Sequence, residues 1–214
     1  MYIDENRTSP DQAGEPARNR RACLRALLRF SVLAAAGVPV LGRAQASQSV
    51  SVVSAELQPG DDPDAGLYLN AQFDFEPSQA IEDAVRRGIP MYFTIDFELS
   101  RTRWYWFDKP LVTAVLGYRV TYSPLTRQFR LSRGALAQPF ETLGEVLATI
   151  RTVRNWRVAD RRPAGSAEHL LARLRLRLDT SMLPKPFQVD ALTNRDWALA
   201  SEWHAVRIRS DVAR

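Results

Sequence analysis

Met91-Tyr92-Phe93-Thr94-Ile95-Asp96-Phe97-Glu98-Leu99 is the stretch that decides the fold. Met91, Phe93, Ile95, Phe97 and Leu99 fall on one set of alternate positions, and Tyr92, Thr94, Asp96 and Glu98 on the other. Successive side chains of an extended chain leave on opposite sides, so this period of two predicts a strand with one apolar face. A face that apolar has to be covered by a second layer.

The same alternation recurs on both sides of it. Upstream, Leu67, Leu69, Ala71, Phe73 and Phe75 alternate with Tyr68, Asn70, Gln72 and Asp74, and the β-rich run from Val50 to Leu57 makes a first strand before the turn cluster Asp61 to Gly66. Between these strands Ser78 caps a short helix. Glu82 and Asp83 suit its positive end, Ile81, Ala84 and Val85 form its apolar stripe, Gly88 ends it, and Pro90 prevents its return.

Downstream, Leu111 to Tyr122 and Thr126 to Leu131 read as a hairpin about Ser123-Pro124-Leu125. Thr142 and Glu145 form a capping box opening a second helix, with Leu143, Val146, Leu147, Ile150 and Val153 inward. Leu170, Ala172, Leu174, Leu176 and Leu178 alternate with Arg173, Arg175, Arg177 and Asp179. A helix there would wrap the arginines through the apolar face, so a strand is expected. Pro184 and Pro186 predict an extended connection, and Trp197, Leu199, Ser201 and Trp203 a last strand.

The expected architecture is mostly β with two helices (α+β): seven or eight antiparallel strands in a β-sandwich with helical insertions. A single bent sheet wrapped on the helices is the alternative.

The N-terminus carries an address. Arg18, Arg20, Arg21, Arg25 and Arg29 precede the apolar run Phe30–Leu41, and Ala44-Gln45-Ala46 follows, the order of a secretory signal. The run is shorter than the roughly 20 residues a bilayer span needs. Cleavage after Ala46 is expected, which would leave no transmembrane helix; an uncleaved anchor is the rival reading. Arg20-Arg21-Ala22-Cys23-Leu24-Arg25 is similar to a twin-arginine signal, although an ordinary export signal also accommodates adjacent arginines. Residues 1–46 are thus read as extension and signal peptide, and 47–214 as one β-rich domain of 168 residues. Cys23 is the only cysteine, so the exported part would hold neither a disulfide nor a cysteine metal site.

The net charge of +5 overstates the domain's basicity. Residues 47–214 hold 22 of the 29 basic and 20 of the 24 acidic residues. That balance does not predict a nucleic-acid or membrane-surface partner.

Several segments resemble the exported bacterial family catalogued as domain of unknown function 4390. They are Gly88-Ile89-Pro90, Arg101 to Asp108, Tyr118-Arg119-Val120-Thr121-Tyr122 with Leu125-Thr126-Arg127-Gln128-Phe129, Leu183-Pro184-Lys185-Pro186, and Trp197 to Trp203. The likeness spans roughly residues 50 to 205. It implies a single-domain envelope protein with no assigned activity, and brings no catalytic residues with it.

The candidate interaction surface is Arg101, Arg103, Trp104, Trp106 and Asp108. Trp and Arg offer broad contact area with a polar handle, suited to a protein or glycan of the envelope. The competing expectation is a strand-end corner whose rings enter the core. Asp96 and Glu98 form a carboxylate pair, but acids side by side on one pleat do not flank a glycosidic bond. They are expected to meet the arginines of 173–177 across a sheet. His169 and His204 lack zinc-site spacing, Ser201 has no visible base, and neither a nucleophile elbow nor a phosphate loop is present. No cofactor or metal is expected. A non-enzymatic binding module is the leading expectation. An envelope-polymer hydrolase using Asp96 and Glu98, or a carrier of an apolar ligand, are the alternatives.

Overall fold

The computed structural model describes residues 50–61, 66–102, 109–163 and 169–212. The chain divides into Met1–Arg43 and Ala44–Arg214, and the described residues all lie in the second unit.

Ten strands and three α-helices are present among the described residues, more than the seven or eight strands and two helices expected. They run β1 (Ser51–Pro59), β2 (Leu67–Asp74), α1 (Gln79–Arg86), β3 (Met91–Arg101), β4 (Lys109–Ser123), β5 (Gln128–Arg133), β6 (Leu136–Phe140), α2 (Leu143–Arg151), β7 (Thr152–Ala159), β8 (Leu170–Leu178), α3 (Lys185–Thr193), β9 (His204–Ala205) and β10 (Arg207–Ile208). They form two sheets and not one bent sheet. One has the order β10-β1-β2-β7 and the other β6-β5-β4-β3-β8-β9. All pairs are antiparallel except β1 with β10.

One core joins the sheets. Phe93, Ile95, Phe97 and Leu99 of β3 and Leu174 and Leu176 of β8 face Leu57, Leu69, Phe73 and Trp156 of the smaller sheet. The Phe97 and Trp156 rings meet edge to face at 6.4 Å. Helix α2 links edge strand β6 to edge strand β7 and buries Leu143, Val146, Leu147 and Ile150. On the opposite side residues 204–209 cross between the sheets. β9 pairs with β8 and β10 with β1, while the buried Val206 donates its N–H to Ala172 O at 2.8 Å.

The expected caps form. Ser78 Oγ accepts from Ile81 N–H, and Thr142 Oγ1 from Glu145 N–H. Gly88, with φ +85°, follows the last turn of α1 and ends that helix in a conformation that favours glycine. Gly66 sits against β7 so closely that a Cβ would lie 1.7 Å from Ala159 O.

Four expectations are corrected. The second helix stops at Arg151, and Val153 is buried from a strand; a helical stripe and a strand both place an apolar residue there. Strand β6 was not anticipated, because Leu136–Phe140 is an exposed edge without an apolar face. Pro184 and Pro186 do not extend the chain but open α3, where the first turn needs no N–H from them. The last strand is not continuous over 197–203. Trp197 closes a 3₁₀ turn, Ala200 makes a single bridge to Arg177, and regular pairing resumes at His204.

Candidate functional site

The outer face of the larger sheet carries the acids and arginines that the sequence singles out. Asp96 lies opposite Arg175, and Glu98 opposite Arg173. Arg173 grips Glu98 through Nη2 at 2.6 Å and Nε at 2.9 Å. Asp96 Oδ2 accepts from Arg175 Nε at 2.8 Å and from Arg177 Nε at 3.0 Å. Arg177 also reaches Asp179 at 3.3 Å. The cross-strand pairing expected from the sequence is therefore present, and it occupies both carboxylates with guanidinium groups.

Trp203 covers this ladder. Two residues of β8, Arg175 and Leu176, lie between its pairings with Ala200 and His204, against three of the C-terminal segment, Ser201, Glu202 and Trp203. Such an extra residue is a β-bulge, which re-aims a side chain. The Arg173 and Arg175 guanidinium carbons stand 4.8 and 4.6 Å from the Trp203 ring centroid. Ser201 is structural, its Oγ accepting from Leu176 N–H at 3.0 Å.

Charges are held firmly at the strand end. Burial alone would raise the Asp179 carboxyl, but the Ser181 hydroxyl and amide together with Arg177 hold it below its usual range. Burial also works against the Arg177 charge, and Asp96 and Asp179 overcome it, so its pKa is raised.

Of the expected interaction surface, Arg101 ends β3, half-buried and in register with Lys109 and Leu170. Thr102 continues the pairing through its N–H to His169 O at 2.9 Å. Arg103, Trp104, Trp106 and Asp108 lie outside the described residues. The histidines do not converge: His169 precedes β8, while His204 pairs opposite Leu174, five residues or about 17 Å further along the strand. No group of three potential metal ligands occurs among the described residues.

A different feature was not singled out from the sequence. An open groove of about 620 Å³ crosses the outer face of the smaller sheet. Register fixes two rungs of side chains on that face. Arg207, Glu56 and Asn70 form one, and Ser54, Gln72 and Thr152 the other. Two irregularities shape it. β1 holds an extra residue at Val53, and β7 bulges between Val153 and Trp156. In the second bulge Asn155 adopts φ +51°, its N–H donating to Asn70 Oδ1 at 2.8 Å. Arg154 and His204 complete the charged and polar rim. Neither Arg154 nor Arg207 makes an ion pair among the described residues, unlike Arg173, Arg175 and Arg177 of β8. The outward pattern Asn70, Gln72 was legible in the sequence. Which outward faces share a groove depends on strand order, which periodicity does not encode.

These features define a two-sheet β domain with an acid–arginine ladder on β3 and β8 and a polar groove on the smaller sheet. The family described as a domain of unknown function, DUF4390, matches residues 47–207, and the chain belongs to that family. No curated protein and no solved structure matches it.

Proposed function

We propose that this protein is an exported envelope module that binds a ligand without transforming it, and that the groove on the smaller sheet is its binding site. One observation carries the reading: the carboxylates of β3 are held in ion pairs, whereas the groove arginines Arg154 and Arg207 are in none among the described residues. Asp96 and Glu98, the pair on which a hydrolase would depend, are held by Arg173, Arg175 and Arg177. Arg154, Arg207, Glu56 and Gln72 line a groove without engaging one another. A β-sandwich with helical insertions suits this role, because a rigid sheet holds the lining in place.

Export rests on the basic, apolar and small-residue order of residues 18–46. The site of action is then the periplasm or the envelope surface, and the partner an envelope protein or glycan. The Arg101–Asp108 segment is proposed as a separate contact for a protein partner.

The test is crosslinking in intact cells, followed by fractionation and mass spectrometry of the recovered chain and its partners. The expected result is a chain in the envelope fraction beginning at Ser47, with a partner that is lost on Arg154→Glu plus Arg207→Glu. A full-length chain confined to the cell interior refutes export. A partner set indifferent to the groove variant refutes the site.

A further inference from the structure

We infer that the groove takes a sugar chain bearing anionic groups, a reading that rests on the binding role proposed above. The groove floor is β1 and β2. β2 is paired on both sides, with β1 and β7, whereas β1 is paired with β2 along its length but with β10 only at Glu56 and Leu57. A peptide that adds a strand to the short free side of Ser51–Ala55 would run along that edge. Arg154 and Arg207 lie on opposite outer strands of the sheet. An occupant that meets both has to lie across the strands, and its specificity has to come from side chains.

Those side chains divide by chemistry. The Ser54 and Thr152 hydroxyls and the Asn70 and Gln72 amides both donate and accept. Sugar hydroxyls do the same. Asn70 Oδ1 already holds the Asn155 N–H, so its amide nitrogen is the part left for a ligand. Glu56 only accepts; it opposes a bare anion but suits a hydroxyl donor. Arg154 and Arg207 stand on β7 and β10, the outer strands of the sheet. Three strand spacings separate these rows, about 14 Å. Arginines rooted that far apart suit anionic groups repeated along one extended chain lying across the strands, and either carboxylate or phosphate meets a guanidinium bidentately. No aromatic residue is among the described lining, so bases have no platform on which to stack.

The test is calorimetric titration of the full chain with trigalacturonate, a carboxylate sugar, and with phosphorylated maltotriose. Unmodified maltotriose and triglutamate serve as comparisons. At least one acidic sugar should bind, and both comparisons about tenfold or more weakly. Whichever acidic sugar binds more tightly identifies the anion. Arg154→Glu and Arg207→Glu should each lower that affinity at least about tenfold, the loss of one charge-assisted contact. Gln72→Ala should lower it several-fold with an unchanged melting temperature, which keeps the test intact if a charge reversal unfolds the sheet. Absence of binding by both acidic sugars, binding unmoved by all three variants, or triglutamate binding equally well would each overturn the inference. If the groove variants still abolish the crosslinked partner in cells, only the ligand class is wrong; if they do not, the binding site itself is wrong.

Discussion

Replacing Asp96 by Ala should destabilise the domain far more than replacing Glu98, although the two acids sit two residues apart on one strand face. The Asp96 side chain is 13 % exposed and the Glu98 side chain 32 %. Asp96→Ala would leave Arg175 without a carboxylate and Arg177 with only Asp179. Breaking a buried pair costs about 3–5 kcal/mol. Both guanidiniums are about a third exposed, at 36 and 31 %, and water recovers part of that loss, so about 2 kcal/mol is expected. Glu98→Ala opens a pair that is half in water and should cost about 0.5 kcal/mol. Urea unfolding reads the difference. With a slope of about 2 kcal/mol per molar, the midpoint should fall by about 1 M for Asp96→Ala and about 0.25 M for Glu98→Ala. Equal shifts, or a smaller one for Asp96, would refute the view that Asp96 is the acid on which this ladder depends.

Three further outcomes follow from the same contacts. Trp203→Ala removes the ring packed against Arg173 and Arg175 and should cost about 1–2 kcal/mol, with faster amide exchange in residues 199–208 than elsewhere. Asp179 has a carboxyl pKa below its unfolded value, so its contribution is complete above the ordinary carboxylate range near pH 4 and is lost as pH falls through the folded value. Asp179→Asn should therefore lower the melting temperature at pH 6 and bring it toward that of the unmodified chain at pH 2–3. Gly66→Ala forces a methyl group against Ala159 O and should cost about 3 kcal/mol in a denaturant titration; a neutral result would show that β2 and β7 separate freely at that end.

Much of the fold was legible because burial on one face imposes a period of two. β2, β3 and β8 lie where that alternation is cleanest, β4 and β5 form the hairpin their β-rich runs predict, and Ser78 and Thr142 cap the helices their side chains predict. Where a segment lacks an apolar face the reading failed. β6 is an exposed edge, and α3 has no buried residue and opens on prolines. The acid–arginine ladder was anticipated from matched spacing and opposite sign, since residues paired across a sheet share a face. The groove was not anticipated, because Ser54, Gln72 and Thr152 come from three distant segments.

Sequence alone determined which residues of the main strands face inward, where α1 and α2 begin, and that charge in the 47–214 region is nearly balanced, since these depend on local periodicity and composition. Only tertiary structure decided that β10 joins β1 while β9 joins β8, that a single extra residue turns Trp203 onto the arginines, and that Arg154 and Arg207 share one groove. Those outcomes depend on strand order and register, which arise when distant segments pack around a common core and leave no local trace in the chain.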